Sequence, residues 1–225
     1  MKVYAIIPAG GKGKRSGIKT PKQYLKINGK ELIVYTLEVF QKNKLVDEII
    51  ISADPLYFNK LKRLIKKYKL SKVASIVEGG RERQDSVYNA LCALSSPSPN
   101  DLVAVHDAAR TLLPAKVLTS ALITAKKKGN TLVCIKAKDT LVKGKVRVEE
   151  YLNRNEVYYV QTPQVFRYRD LMKAMNKANK ENYYGTDESM LVSRIGIKAN
   201  IVEGSVFNFK VTSKDDIELL KKILK

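Results

Sequence analysis

The sequence predicts an α/β protein with a mostly parallel β-sheet flanked by helices. Short apolar, β-branched runs recur along the 225-residue chain, and helix-length amphipathic segments separate them. The first apolar run, VYAII at 3–7, leads directly into a glycine-rich loop. This alternation is typical of βαβ units, whose parallel strands are covered by helices on both faces.

The predicted strands and helices alternate over the first 137 residues. Strands are expected at 3–8, 46–52, 72–78, 101–106 and 131–137, and helices at 31–42, 56–69, 85–95 and 115–128. Within 57–70, apolar residues recur at helical spacing and lysines fill the opposite positions. That pattern is typical of a helix with one face in solvent.

The second half of the chain adds a different element. At 138–160, two β-prone pieces flank Lys143-Gly144-Lys145, which predicts a hairpin. The hairpin is either a projecting β-arm or an edge hairpin folded onto the domain. Beyond it, helices are expected at 168–179 and 186–195, strands near 198–202 and 206–212, and a closing helix from 214. Because no linker composition interrupts the pattern, one domain is expected over 1–225.

Composition excludes several classes of protein. The formal net charge is +20, but the lysines occupy helix faces, and no basic patch interleaved with aromatic residues indicates a nucleic-acid partner. No apolar run approaches the roughly 18–20 residues that span a bilayer, so no membrane association is expected. Cys92 and Cys134 lie in apolar segments without a CxxC pair, which predicts buried thiols in a reducing, cytoplasmic compartment.

The loop PAGGKGKRSGIKTPKQYL, at 8–25, predicts a polyphosphate site. It combines glycines, which permit close backbone approach, with five basic residues and no acid. The spacing excludes a P-loop, because Arg15 follows Gly13-Lys14 where Ser or Thr is required. It also excludes the dinucleotide fingerprint, because Ser16 stands in place of the third glycine. A basic surface turn without a ligand is the alternative.

Six motifs together make the chain recognisable. PAGGKGKR…PKQYL, EGGRERQDSVYNAL, VHDAAR, VQTPQVF, GTDESMLV and VFNFKVT occur in this order. They resemble the bacterial and plastid 2-C-methyl-D-erythritol 4-phosphate cytidylyltransferases of the non-mevalonate isoprenoid pathway, over nearly the whole chain. The resemblance implies the nucleotide-diphospho-sugar transferase fold, a Rossmann-like α/β sandwich with a β-arm that builds a homodimer. It also implies cytidylyl transfer from CTP to the polyol phosphate, with pyrophosphate release and Mg²⁺ as cofactor.

The chemistry of that reaction suits this composition. The attacking phosphate oxygen is already ionised near neutral pH, so the enzyme needs neither a protein nucleophile nor a general base. The chain has one histidine, His106, which we expect to be structural, and no Ser, Cys and His arrangement that indicates a triad. What the reaction needs is positive charge arranged in advance around the α-phosphate.

The family pattern implies a nucleotide site in two segments. Arg15 and Lys22 are implied as the catalytic cations on the α-phosphate, and the residues implied around the triphosphate are Ala9, Gly10, Gly11 and Gly13. Lys12 and Lys14 either contact the outer phosphates or lie in solvent. Gly80, Arg83 and Ser86 are implied at the cytidine, although Ser86 alternatively only begins a helix. Arg81 stands where the family often has an acid.

The remaining implied residues bind the polyol phosphate. They are Asp107, Arg110, Thr140, Arg154, Thr162, Thr186, Lys210 and Thr212, with Arg154 and Lys210 as the phosphate-positioning pair. Asp107 is also implied as the Mg²⁺ ligand, directly or through water, with a helix cap as its alternative role.

Three positions leave the interpretation open. Thr111 replaces the proline that usually follows the arginine of VHDAAR. Asp187 and Glu188 either contribute to the site or only begin a helix, where the dipole favours acids. A ribitol-5-phosphate cytidylyltransferase, with the same fold and nucleotide loop, is the alternative function.

Overall fold

A central β-sheet organises the computed structural model, which describes residues 1–11 and 21–224. The described strands are β1 (Val3–Pro8), β2 (Lys26–Ile27), β3 (Lys30–Glu31), β4 (Glu48–Ala53), β5 (Val73–Glu78), β6 (Leu102–Val105), β7 (Asn130–Lys136), β8 (Leu141–Gly144), β9 (Val148–Leu152), β10 (Tyr158–Arg167) and β11 (Ile201–Glu203). The described α-helices are α1 (Leu32–Lys42), α2 (Phe58–Lys67), α3 (Arg83–Cys92), α4 (Ala115–Lys128), α5 (Tyr168–Lys180), α6 (Glu188–Ser193) and α7 (Lys214–Ile223).

Seven strands form the main sheet, in the order β11-β7-β10-β6-β1-β4-β5. β1 pairs in parallel with β4 on one side and β6 on the other, so that Ile6 lies between Ile50 and Val105. β10 runs antiparallel to both of its neighbours, β6 and β7. The sheet is therefore mostly parallel, as predicted, and the carboxyl ends of β1, β4, β5 and β6 meet at one edge.

The core lies on both faces of this sheet because alternate residues of each buried strand point in opposite directions. Val3, Ala5 and Ile7 of β1 pack in the cluster that includes side chains of α1, α2 and α4. Tyr4 and Ile6 pack on the other face with side chains of α3, α5 and α6. All five side chains are fully buried, which explains the continuous apolar run in the sequence.

Most of the predicted elements are confirmed, and two predictions need correction. β10 was expected only in part, because Gln161, Pro163 and Gln164 interrupt its apolar pattern. The strand predicted at 206–212 is wrong, since 208–212 is an irregular segment in the structure. Tertiary contacts replace the strand ladder there: the Val211 N–H donates to the Ala109 carbonyl at 2.9 Å.

The predicted hairpin forms an arm of its own. β8 and β9 pair antiparallel, with Leu141 opposite Leu152, and they form a two-stranded sheet separate from the main one. The hairpin is shorter than the predicted 138–160, because 158–160 belong to β10. Val146 and Tyr151 of the arm are 97% and 73% exposed. The arm therefore projects from the domain, and it leaves apolar side chains uncovered within one chain.

The two cysteines, both predicted to be buried, differ in exposure. Cys134 is buried as expected, but Cys92 is exposed, so the prediction of two buried thiols is wrong for Cys92. Its position at the end of α3 places it on the solvent side of that helix.

Within residues 1–11 and 21–224, no helix has both the length and the apolar composition needed to cross a bilayer.

Candidate active site

Two glycine turns meet at the carboxyl edge of the sheet. The first follows β1, where the Ala9 N–H donates to the Ser52 carbonyl at 2.7 Å. The second follows β5, where the Gly79 N–H donates to the Ala53 carbonyl at 2.9 Å. A Cβ placed on Gly10 would lie 3.6 Å from the Ser86 hydroxyl oxygen, so the two turns approach each other at the start of α3.

Ser86 and Gly80 shape the second turn. The Ser86 hydroxyl accepts a hydrogen bond from the Gly80 N–H and donates one to the Glu82 carbonyl, both at 3.0 Å. A Cβ on Gly80 would overlap Asp85, whose side chain caps α3. Both residues therefore have a structural role at the helix start. Their contact with cytidine stays a prediction.

The first turn is tied to the short 3₁₀ helix that contains Lys22. The Gln23 side-chain amide donates to the carbonyls of Ala9 and Gly11, at 2.6 and 3.0 Å. This holds the half-buried Lys22 beside the turn. The predicted residues Lys12, Gly13, Lys14 and Arg15 lie outside the described residues.

Asp107 is the centre of a cationic cluster. It lies two residues beyond the end of β6. Its Oδ1 accepts a hydrogen bond from Arg83 Nε at 3.0 Å. Its Oδ2 lies 2.8 Å from Lys210 Nζ and 3.7 Å from Arg110 Nε. Three cations from three separate segments therefore share one carboxylate, which is buried to about nine-tenths.

The charges of this cluster determine the protonation of Asp107. Burial alone would raise its pKa, but Arg83, Lys210 and Arg110 outweigh that effect and hold the pKa well below the usual aspartate value. For Arg83, burial lowers the pKa, and the charges of Glu188 and Asp107 more than reverse this. Asp107 and Arg83 are therefore both ionised throughout the neutral pH range.

The backbone of Asp107 is held by a buried polar pair. Its N–H donates to the Thr162 hydroxyl oxygen at 3.1 Å, and that hydroxyl lies 2.9 Å from His106 Nδ1. His106 Nε2 lies 3.1 Å from the Arg110 carbonyl, which can only accept, so Nε2 carries the proton and Nδ1 accepts from Thr162. Burial lowers the pKa of His106 to about 4. The structural role expected for His106 is confirmed.

Asn208 anchors the segment that carries Lys210. Its side-chain amide donates to the Thr162 carbonyl at 2.7 Å, and its backbone carbonyl accepts from Arg110 Nη1 at 2.7 Å. Asn208 is fully buried. These contacts explain why 208–212 is irregular: the backbone is shaped to bring Lys210 to Asp107.

Thr186 belongs to an adjoining cleft of about 470 Å³. The cleft lies between the start of α3 and the segment before α6, and Arg81, Arg83 and Gln84 also line it. Gln84 joins the two walls, since its amide donates to the Tyr183 carbonyl and accepts from the Gly185 N–H, both at 3.0 Å. A larger cleft of about 770 Å³ lies among α1, 111–115 and Phe207, and none of the predicted site residues that the structure describes lines it.

Three predicted residues are not joined to the cluster by the contacts that the structure describes. Thr140 is exposed near the base of the arm, and Arg154 Nη1 donates to the Lys138 carbonyl at 3.0 Å. Thr212 donates from its hydroxyl to Asp216 at 2.8 Å, at the start of α7. The contact of Thr140 and Arg154 with the polyol phosphate stays a prediction.

Sequence reasoning missed two residues that shape the site and left a third undecided. Gln23 and Asn208 both stood inside quoted motifs, but their buried amides carry no charge that would draw attention to them. The sequence leaves open whether Glu188 contributes to the site or only begins a helix, and the structure buries it against Arg83. Polar side chains inside otherwise apolar motifs were the available signal.

The residues at Asp107 do not fit a magnesium ion held by the protein there. Both carboxylate oxygens already contact cations, and an added divalent ion would face Arg83, Arg110 and Lys210 at close range. Across the part of the chain that the structure describes, no group of three or more His, Cys, Asp or Glu side chains is placed to hold a metal.

The fold and the site together define an α/β nucleotidyltransferase. Glycine turns at the carboxyl edge of a mostly parallel sheet are suited to phosphates, and the adjoining cluster is cationic. The model of the IspD family, 2-C-methyl-D-erythritol 4-phosphate cytidylyltransferase, matches residues 3–225. The chain belongs to this family.

Individual relatives agree with the family model. A 2-C-methyl-D-erythritol 4-phosphate cytidylyltransferase of Syntrophus aciditrophicus is 38% identical, over 100% of this chain and 96% of the relative. The corresponding protein of Geobacter metallireducens is 39% identical, over 100% of this chain and 98% of that relative. The crystal structure of the Francisella tularensis enzyme superimposes with a TM-score of 0.84 at 32% identity and covers 99% of both chains.

The buried His106 predicts a pH dependence of stability. Its pKa is about 4 in the folded protein and near 6.5 when unfolded, so between these values only the unfolded chain binds the proton. Stability is therefore lost as the pH falls through this window, by about 2 kcal/mol between pH 7 and pH 5. Urea unfolding at both pH values measures this loss.

The chain offers a clean control because it contains one histidine. His106→Asn is expected to be less stable overall, yet to lose most of the difference between pH 7 and pH 5. A wild-type protein equally stable at both pH values would contradict the buried, neutral histidine.

Proposed function

We propose that this protein transfers the cytidylyl group of CTP to 2-C-methyl-D-erythritol 4-phosphate. The products are 4-diphosphocytidyl-2-C-methyl-D-erythritol and pyrophosphate, in isoprenoid precursor biosynthesis. The observation that carries the proposal is the convergence of Arg83, Arg110 and Lys210 on Asp107, beside two glycine turns. Full-length membership of the family supports the choice of substrates.

The cluster supplies the charge that this reaction requires. The acceptor phosphate is anionic, and the pentacoordinate α-phosphate gains negative charge as the new bond forms. Lys210 is partly exposed, so its ammonium can turn toward a bound phosphate while Asp107 holds it in place. Preorganised cations cost no reorganisation at the moment of reaction, and this is the main catalytic contribution proposed for the protein.

The nucleotide half of the site is the part closest to the glycine turns. Lys22 and Arg15 are the cations proposed at the α-phosphate. The backbone of Ala9, Gly10, Gly11 and Gly13 would surround the triphosphate, and the turn at Gly80 and Ser86 would receive the cytidine. His106 takes no part as acid or base, since both ring nitrogens are occupied by structural hydrogen bonds.

Magnesium enters this proposal only as the counter-ion of the CTP triphosphate. Asp107 is fully engaged by cations, so a divalent ion would bind phosphate oxygens of the nucleotide rather than this carboxylate. The requirement for Mg²⁺ stays a prediction.

The exposed arm supports a homodimer in which each active site is shared. An isolated two-stranded hairpin is marginally stable in water, and this arm exposes Val146 and Tyr151. Pairing two arms about a two-fold axis would cover these side chains. It would also allow Thr140 and Arg154 of one subunit to reach the polyol phosphate of the other.

The substrate assignment is tested with purified protein and two acceptors. Pyrophosphate release from CTP is expected with 2-C-methyl-D-erythritol 4-phosphate, and UTP is expected to be a poor donor. A kcat/KM for D-ribitol 5-phosphate tenfold higher, about 1.4 kcal/mol of discrimination, would contradict the assignment and support the ribitol-5-phosphate alternative.

The shared site is tested by mixing two defective variants. Lys22→Met removes a cation from the nucleotide half, and Arg154→Ala removes one from the arm, so each protein alone is expected to be nearly inactive. Refolding the two together forms hybrid dimers in which one of the two sites contains both intact residues. Activity per hybrid should return to as much as half of the wild-type value.

Two controls make the mixing result specific. Each variant refolded alone must stay inactive, and Arg147→Ala, at the tip of the arm, should retain activity without mixing. Verified heterodimers as inactive as their parents, or an active monomer at assay concentration, would exclude the shared site.

A further inference from the structure

A second buried carboxylate lies behind the cationic cluster. Glu188, the first residue of α6, is 1% exposed, and its Oε1 accepts a hydrogen bond from Arg83 Nη1 at 2.6 Å. Arg83 therefore connects two carboxylates, because its Nε donates to Asp107 at 3.0 Å. Among the described residues, the other oxygen, Oε2, is buried without a hydrogen-bond partner.

The position of Glu188 differs from that of an ordinary acid at a helix start. Asp187 already caps α6, accepting from the Met190 N–H at 2.9 Å and from the Gln164 amide at 3.0 Å. Glu188 is directed inward, and a buried carboxylate is costly unless a cation compensates it. Arg83 is that cation, so the burial of Glu188 depends on this one contact.

The charge balance shows what this contact does for the site. Without Glu188, Asp107 alone would compensate three cations, and Arg83 and Arg110 would repel each other around it. Burial is the main cause that lowers the pKa of Arg110, and the charge of Arg83 lowers it further. With Glu188 present, the five side chains leave one net positive charge, and Arg83 is attracted from both sides.

We infer that Glu188 is a positioning residue for the acceptor phosphate. It holds Arg83 against Asp107. Asp107 in turn fixes the positions of Lys210 and Arg110, which would bind the polyol phosphate. The inference rests on the proposed function and extends it to a residue that touches no substrate. Arg83 accordingly serves the acceptor half of the site, whatever contact it also makes with the nucleotide.

The test compares three variants in the full-length protein. Glu188→Gln keeps the shape and removes the charge, and we expect the KM for the polyol phosphate to rise at least about tenfold, as for other buried charge pairs that lose one partner. The KM for CTP should change less than about twofold. Arg83→Gln should also raise the KM for the polyol phosphate at least about tenfold, and adding Glu188→Gln to Arg83→Gln should have little further effect on that KM.

A matched control separates positioning from simple loss of structure. Asp187→Asn removes a carboxylate from the same turn without touching Arg83, so it should lower the melting temperature but leave both KM values near the wild-type ones. Where Glu188→Gln folds poorly, the double variant provides the comparison, because it leaves neither Arg83 nor Glu188 as a buried charge without its partner.

Three outcomes would overturn the inference. They are unchanged kinetics in Glu188→Gln, a folded Glu188→Gln protein in which the KM values for the polyol phosphate and for CTP rise equally, and additive effects in the double variant. A wild-type protein that releases no pyrophosphate from CTP and the polyol phosphate would instead contradict the proposed function. The two failures are therefore distinguishable.

Discussion

The active-site edge of this protein depends on one ionised carboxylate. Asp107 gathers three cations that arrive from α3, from the turn after β6 and from the irregular segment before α7. Like charges would repel each other at this spacing without an anion between them. The rest of the local structure, from the Thr162–His106 pair to the buried amide of Asn208, holds that carboxylate and its partners in place.

This arrangement is compatible both with the phosphate binding that we propose and with a stable folded protein. Three unpaired cations would destabilise the free protein, whereas three cations around two carboxylates retain only a small net charge. A phosphate bound as proposed would compete with Asp107 for the Lys210 ammonium, and it would also meet Arg110 Nε, which has no hydrogen-bond partner among the described residues. The small net charge is compatible with the folded protein and would still attract an anion, which is the balance that a reversible phosphate site requires.

The sequence was sufficient for the sheet and for the cluster's members, but it did not indicate how they pair. Apolar runs such as 3–7 identify buried parallel strands because both faces are covered, and β10 is predicted only in part because polar residues interrupt its pattern. The segment 206–212 has strong β propensity, yet Lys210 and Asn208 make contacts that a ladder would prevent. Arg83 was assigned to cytidine and Glu188 left undecided, because charge pairing between distant segments has no local signature.

The central claim is that three cations keep Asp107 ionised where an ordinary aspartate would take up a proton. The direct measurement is the ¹³C chemical shift of the Asp107 carboxyl carbon between pH 6 and pH 3.8, assigned by its absence in Asp107→Asn. An unperturbed aspartate is half protonated at pH 3.8. The structure predicts a flat shift down to that pH, and a carboxyl that is half protonated there would contradict the cluster.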